Sequence, residues 1–411
     1  MNTQGMAGIV KGDRSREPIP TAATRPAQVK VEVEDLRSPD SEALDSLSAP
    51  VRACAPAGAV LLRVTRQSYE GEECFHLELQ DDTALRATVT PQDLRNQRRP
   101  QLDLAGIATA GTWQQGLNAL RSWSDTKITL RQWLTALRRQ HGRNLRLVVW
   151  DETDFQIPWE LFFHETDDPD DHGWLGADVE LIRWTNVYSE TPIDWSTGGA
   201  SICKGPVLSY IDKDFKNLDD RFKALPHDKA DTMSELLSKL NAKDRRFGLV
   251  HFWGHGTAAA DGAQATLGGL SMDLLGRHRM HALRAADTLV LLNACSSALL
   301  MNDDRFRERA TRTFAEIFLR RGARGVIATA GEVGKPDSLE FLDRLLAAAR
   351  DQAVSVSALL RDYRATLARE LPDDLSTADP ILLKAFIYGC MYHYIGRLDT
   401  ALYMSPQGGT S

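Results

Sequence analysis

Two residues of this 411-residue chain stand where their side chains can work together. His255 closes the run LVHFWGHG (249–256), and Cys295 closes LVLLNACSS (289–297). Both runs read as β-strands, and in open α/β sheets ligands bind beyond the carboxyl ends of strands, so neighbouring strands would bring the two groups to one edge. A free thiol, with a pKa of about 8.5, is only slightly ionised at neutral pH; an adjacent imidazole raises the thiolate fraction and later returns the proton to a leaving group. Such a pair attacks acyl carbons. The resulting oxyanion needs donors, and the amides of Gly256 and Cys295 suit that role, with glycine beside the base letting a substrate carbonyl approach the backbone.

The elements that must position this pair are legible as periodicity. AVLLRVT (59–65) and CFHLELQ (74–80) predict strands around a turn at Gly71, 113–140 predicts helix with a break near Lys127, and LRLVVW (145–150) and ELIRW (180–184) predict buried strands. After a Ser/Thr/Gly-rich connection at 189–205, strands are expected at 206–212, 248–253, 288–293 and 325–330. Helices are expected at 230–242, 305–321, 337–350 and 354–370. The alternation predicts a parallel α/β sheet. In the helix at 305–321, Phe306, Ala310, Phe314, Ile317 and Phe318 would form the apolar stripe and Gly322 the C-cap.

Composition narrows the functions open to the chain. Apolar residues make up 43% and charged residues 26%, ordinary globular usage, and the length suits two folded units plus a tail. A net charge of −7 leaves no basic footprint for direct nucleic-acid binding, and no apolar run is long enough to span a bilayer, which points to a cytoplasmic protein with no membrane partner. No GxxxxGK or GxGxxG motif supports nucleotide chemistry, and no cofactor is expected. The five cysteines, Cys54, Cys74, Cys203, Cys295 and Cys390, are scattered with no CxxC pair. His251 and His255 lie four apart but on a strand without ligand partners, so no metal is expected either. Residues 1–50 are Pro-, Ser- and charge-rich and read as a disordered tail.

With those elements around them, the His255-Gly256 and Ala294-Cys295 motifs resemble the caspase-like cysteine proteases, and specifically the bacterial CHAT domain, over roughly residues 145–400. Asn293-Ala294-Cys295-Ser296 stands where caspases have Gln-Ala-Cys. Ile157-Pro158-Trp159-Glu160-Leu161 resembles the segment that CHAT proteins carry before their catalytic half, and Gly325–Thr329 matches the following strand. The resemblance implies an α/β fold, a caspase-like three-layer α/β/α sandwich. It divides the chain into a tail at 1–50, a non-catalytic caspase-related region at 51–195, a catalytic region at 196–400 and a flexible end at 401–411. It further implies a cysteine endopeptidase working through a Cys295–His255 dyad in a regulated bacterial antiphage or cell-death pathway. The partners implied are a protein substrate, such as a gasdermin-like effector, and an activating partner. Relatives that cut after Arg or Lys line the pocket for that residue with acids, one of them often two residues before the nucleophile. Asn293 stands there without charge, so Asn293, with the acids Glu332 and Asp337 after the strand at 325–330, is expected to line a substrate pocket.

Blander roles remain for the other residues. The remaining cysteines read as small buried hydrophobes, His251 as a histidine satisfied within the sheet, His278 and His281 as solvated, and Trp159 as core. The pair itself is also compatible with a catalytically silent CHAT-like protein-binding module, or with another thiol hydrolase or acyltransferase on a doubly wound sheet.

Overall fold

The computed structural model describes residues 58–80, 97–98, 100, 107, 111–165, 172–187, 199–215, 219–257, 265–303 and 310–405, all within one compact unit, 40–411. The expected tail at 1–50 and Cys54 lie outside the described residues.

A ten-stranded sheet organises the molecule. Its strands are β1 (Val60–Tyr69), β2 (Glu72–Gln80), β3 (Arg146–Asp151), β4 (Glu180–Trp184), β5 (Val207–Ile211), β6 (His227–Ala230), β7 (Leu249–Trp253), β8 (Leu289–Asn293), β9 (Gly325–Thr329) and β10 (Tyr392–Gly396). They lie in the order β2-β1-β3-β4-β10-β9-β8-β7-β5-β6, so the regions on either side of the 190–205 connection share one sheet, joined where Arg183 lies opposite Ile395. Pairing is parallel from β6 through β9 and among β1, β3 and β4. The parallel sheet expected of the elements after residue 205 has one exception, and the first region adds an antiparallel hairpin. The hairpin β1–β2 is antiparallel, turning at Glu70 and Gly71, both at positive φ, and β10 runs antiparallel to β9.

Leu289 to Leu292 of β8 are wholly buried, as a strand covered on both faces requires. In β3 the two faces separate cleanly. Leu147 and Val149 pack with Leu130, Trp133, Leu134 and Leu137 of α2 (Ile128–His141), while Val148 and Trp150 pack with Leu117 and Leu120 of α1 (Trp113–Asp125). Helix, sheet and helix make three layers, as the resemblance implied. The helix break expected near Lys127 is the α1–α2 junction.

Further helices are α3 (Met233–Asn241), α4 (Phe314–Arg320), α5 (Lys335–Asp351), α6 (Val356–Ala368) and α7 (Pro380–Met391). The helix expected over 305–321 is far shorter. Thr313 is extended and its hydroxyl accepts from the Glu316 amide, a cap that starts α4 there, and Ala310–Arg312 pair instead with Met301–Asp303. Of the end expected to be flexible at 401–411, residues 401–405 are built in, because Thr400–Tyr403 pair with Ser201–Lys204 and with Val354–Ser355, and Leu402 and Met404 are buried. Trp159 is core, as expected.

Candidate active site

β7 and β8 are adjacent and parallel, with Trp253 opposite Asn293, so the residues that follow them emerge side by side. His255 leaves β7 with its side chain exposed. Its Nε2 lies 3.2 Å from Oδ2 of Asp214, and the Phe215 ring stands 5.1 Å from its own. Asp214 comes from the turn after β5, which Asp212 organises. The Asp212 amide donates to Trp253 O, its Oδ1 accepts from the Asp214 amide, and its Oδ2 accepts from the Tyr210 hydroxyl. Sequence reading missed Asp214; the signal available was its place just beyond the strand that neighbours β7.

Cys295 begins a tight turn after β8 and is partly buried. Ser296 adopts φ 59°, in the left-handed region that costs a residue with a side chain of its own. β9 holds the turn in place. The Thr329 hydroxyl donates to Ala294 O at 2.6 Å, the Ala298 amide donates to Thr329 O, and the Ser296 amide donates to Gly331 O. Burial pushes the Cys295 thiol up, Glu332 pushes it further, and the Val333 amide, donating to the sulfur, works against both. Gly256 lies directly against this turn, since a Cβ there would run into the Cys295 carbonyl oxygen. His255-Gly256 and Cys295 are thus neighbours, although among the described residues no hydrogen bond joins the imidazole to the thiol.

Cys295, Gly256 and Glu332 open onto a cavity of about 530 Å³ whose other wall is Asp151, Arg183 and Thr185 at the ends of β3 and β4. Both regions of the chain therefore build one cleft. Asn293 is not part of its lining. It is buried, its Nδ2 donating to His251 Nε2 at 3.2 Å and its Oδ1 accepting from the Tyr392 hydroxyl at 3.1 Å. Asp337 sits in the first turn of α5, outside the lining, and burial pushes its carboxyl up. Of the three expected substrate-binding residues, the structure brings only Glu332 to the cleft.

Below the cleft, Glu160 is fully buried and accepts from Arg183 Nε at 2.9 Å and from His393 Nε2 at 3.1 Å. Burial alone would push Glu160 up, but Arg183 and then His393 hold it well below the carboxylate range. Burial, with Arg183, pushes His393 down to about 4, so its contact with Glu160 is a hydrogen bond from a neutral ring. His251 is pushed down to about 3, first by burial; Nδ1 lacks a hydrogen-bond partner, so it is only half satisfied. His278, expected in solvent, is half buried with Nδ1 3.0 Å from Asn241 Nδ2. Cys74, Cys203 and Cys390 are buried free thiols. Asp212, Asp214 and His255 have ligand atoms within 4.8 Å of one another, the one such trio among the described residues, but the hydrogen bonds above already engage all three.

Fold and site together define an α/β protein with a histidine and a cysteine at adjacent strand ends. Residues 208–388 match the family model described as CHAT domain, which bears out the CHAT resemblance over the second region; Ile157–Leu161 lies outside the match. No curated protein matches the chain. Among solved structures, the separase of the Saccharomyces cerevisiae separase–securin complex is similar at 12% identity and a TM-score of 0.39, covering 63% of this chain. This chain spans only 16% of that one. The Arg-specific cysteine proteinase gingipain R is similar at 12% identity and a TM-score of 0.40, with 68% of this chain and 67% of that one covered. The complex of Porphyromonas gingivalis RgpB pro- and mature domains gives 12% identity and 0.39, with 74% of each chain covered. No helix among the described residues is long and apolar enough to cross a membrane.

Proposed function

We propose that the chain is a cysteine endopeptidase in which Cys295 attacks the scissile carbonyl, His255 takes and returns the proton, and the Gly256 and Cys295 amides receive the oxyanion. The observation that carries this reading is the contact of Gly256 with the Cys295 turn at the mouth of the 530 Å³ cleft. It sets the nucleophile and the residue next to the base against a site for a side chain of substrate, while His255 itself is exposed and not part of that lining. Asp214 completes the arrangement as a positioning residue. Its carboxylate accepts the Nε2 proton of His255, which leaves Nδ1 as the nitrogen with a free lone pair. Glu332 is the acid placed to meet a substrate side chain in the cleft.

The substrate on this reading is a protein partner in a regulated, cytoplasmic antiphage or cell-death response, such as a gasdermin-like effector, with a second partner as activator. No cofactor enters the mechanism. Cleavage profiling of a peptide library by the wild type and by Cys295→Ala tests the enzyme claim. Cuts that vanish in the variant support it, and no Cys295-dependent cut even with candidate activators sinks it.

A second reading has one observation in its favour. The thiol is pushed up and not hydrogen-bonded to the imidazole, which suits a silent CHAT-like module that holds partners in the cleft without cutting them. Iodoacetamide separates the two: a Cys295 that alkylates no faster than a free thiol, with or without a candidate partner, favours the silent module.

A further inference from the structure

On the sheet edge opposite Cys295, four arginines gather. Arg279, three residues after Gly276, and Arg284 precede β8, and Arg320 and Arg321 precede β9. Cys295 and Glu332 follow those same strands, so a full strand of five residues, on the order of 17 Å, separates the two places. The arginines are packed around two glycines. An ideal Cβ on Gly276 would lie 3.0 Å from Arg320 Nη2, and Arg321 Nη2 donates to the Gly276 carbonyl. Gly322, at φ 105°, ends α4, and a side chain there would collide with the stem of Arg284, whose Nη2 donates to Arg320 O. A side chain at Gly276 would crowd the Arg320 guanidinium, and one at Gly322 the stem that carries the Arg284 guanidinium.

Charge is not balanced here. Burial and then Arg320, Arg284 and Arg279 all work against the charge on Arg321, and one acid, Glu316, works for it. Glu316 is wholly buried and lies 3.5 Å from Arg320 Nε, which leaves a net surplus of three positive charges among these five residues. Two arginines at the end of a helix are explained by its dipole. Two more brought to the same place from another segment are not, in a chain whose net charge is −7.

We infer that Arg279, Arg284, Arg320 and Arg321 form a binding site for a small ligand carrying adjacent phosphoryl groups, a diphosphate. The planar guanidinium fork matches pairs of phosphoryl oxygens, and a diphosphate carries about the charge that the surplus calls for. A nucleic-acid backbone offers the same oxygens, but a long polyanion would have to extend beyond four arginines over a molecule of net negative charge. The site is independent of the peptidase reading.

Thermal unfolding and titration calorimetry of the full chain with inorganic pyrophosphate test it, with sulfate at equal ionic strength as the control. The wild type should be stabilised by pyrophosphate beyond sulfate, and the double variant Arg279→Gln/Arg284→Gln should bind at least tenfold more weakly. Both residues are exposed, so the variant should keep the wild-type melting temperature without ligand; Arg320→Gln gives a second loss from the other segment. Equal responses in wild type and variants, or sulfate matching pyrophosphate, overturn the site. Tighter binding of a 30-nucleotide single strand than of pyrophosphate overturns the small-ligand assignment.

Discussion

Asp214 and Phe215 both contact the His255 imidazole, so on the proposed mechanism the base depends on a positioning residue from another strand's turn. Asp214→Ala should therefore lower kcat by roughly ten- to a hundredfold, less than the loss of the general base itself would, with KM little changed. Asp214→Glu should recover part of that loss, and a change in KM alone would instead make Asp214 a substrate contact. The thiol gives a second test at this scale. Its pKa is raised by burial and then by Glu332, so removing that charge lowers it and moves the onset of thiolate formation to lower pH. Glu332→Gln should alkylate faster with iodoacetamide at pH 7.5, and its rate–pH midpoint should lie below that of the wild type. The chemistry-bearing pair was legible in the sequence because each residue ends an apolar run. Asp214 was not, because nothing in YIDKDF distinguishes a carboxylate aimed at another strand's histidine from a solvated turn.

Among the elements, the turn after β8 owes its shape to β9. Thr329 is buried, and its hydroxyl is the donor for the Ala294 carbonyl just before Cys295. Thr329→Val keeps the volume and leaves that carbonyl without its donor, which costs about 1–3 kcal/mol. Denaturant unfolding should show that loss, and on the proposed function kcat should fall more than the stability change explains, because the turn that carries Cys295 is released. The same dependence of one element on another sets what the sequence could reveal. β7, β8 and β9 are buried on both faces and read as continuous apolar runs bounded by polar segments, so their positions were legible. The start of α4 was not, because Phe306 and Ala310 fit the helical stripe while Thr313 caps the helix later. α7 and β10 escaped because PILLKAFIYGCMYHYIG is mostly apolar with no clear period, and its Gly389 lies inside the helix and not where Met391 gives way to the strand at Tyr392. Asn293 misled for a related reason: its position before the nucleophile suggested substrate, whereas its amide is spent between His251 and Tyr392.

Over the whole molecule, β10 joins the two regions, and it carries His393 into the buried contact with Glu160 and Arg183. His393 is pushed down to about 4 and His251 to about 3, each from the ordinary value of 6.5, chiefly by burial. Between 6.5 and those values the unfolded chain binds a proton at each position and the folded chain does not. Their contribution to stability is therefore complete above pH 6.5 and is lost as pH falls, at about 1.4 kcal/mol per pH unit for each proton. Glu160, held low, begins to lose its contribution only below its ordinary 4.5, while Asp151, pushed up by burial, works in the opposite sense and partly offsets the fall. Stability measured by urea unfolding should consequently drop from pH 6.5 to pH 4.5. His393→Gln keeps a donor for Glu160 but removes one titration, so it should flatten that drop by about one proton's slope. A variant with the wild-type slope would place the acid sensitivity elsewhere than at the strand that holds the two regions together.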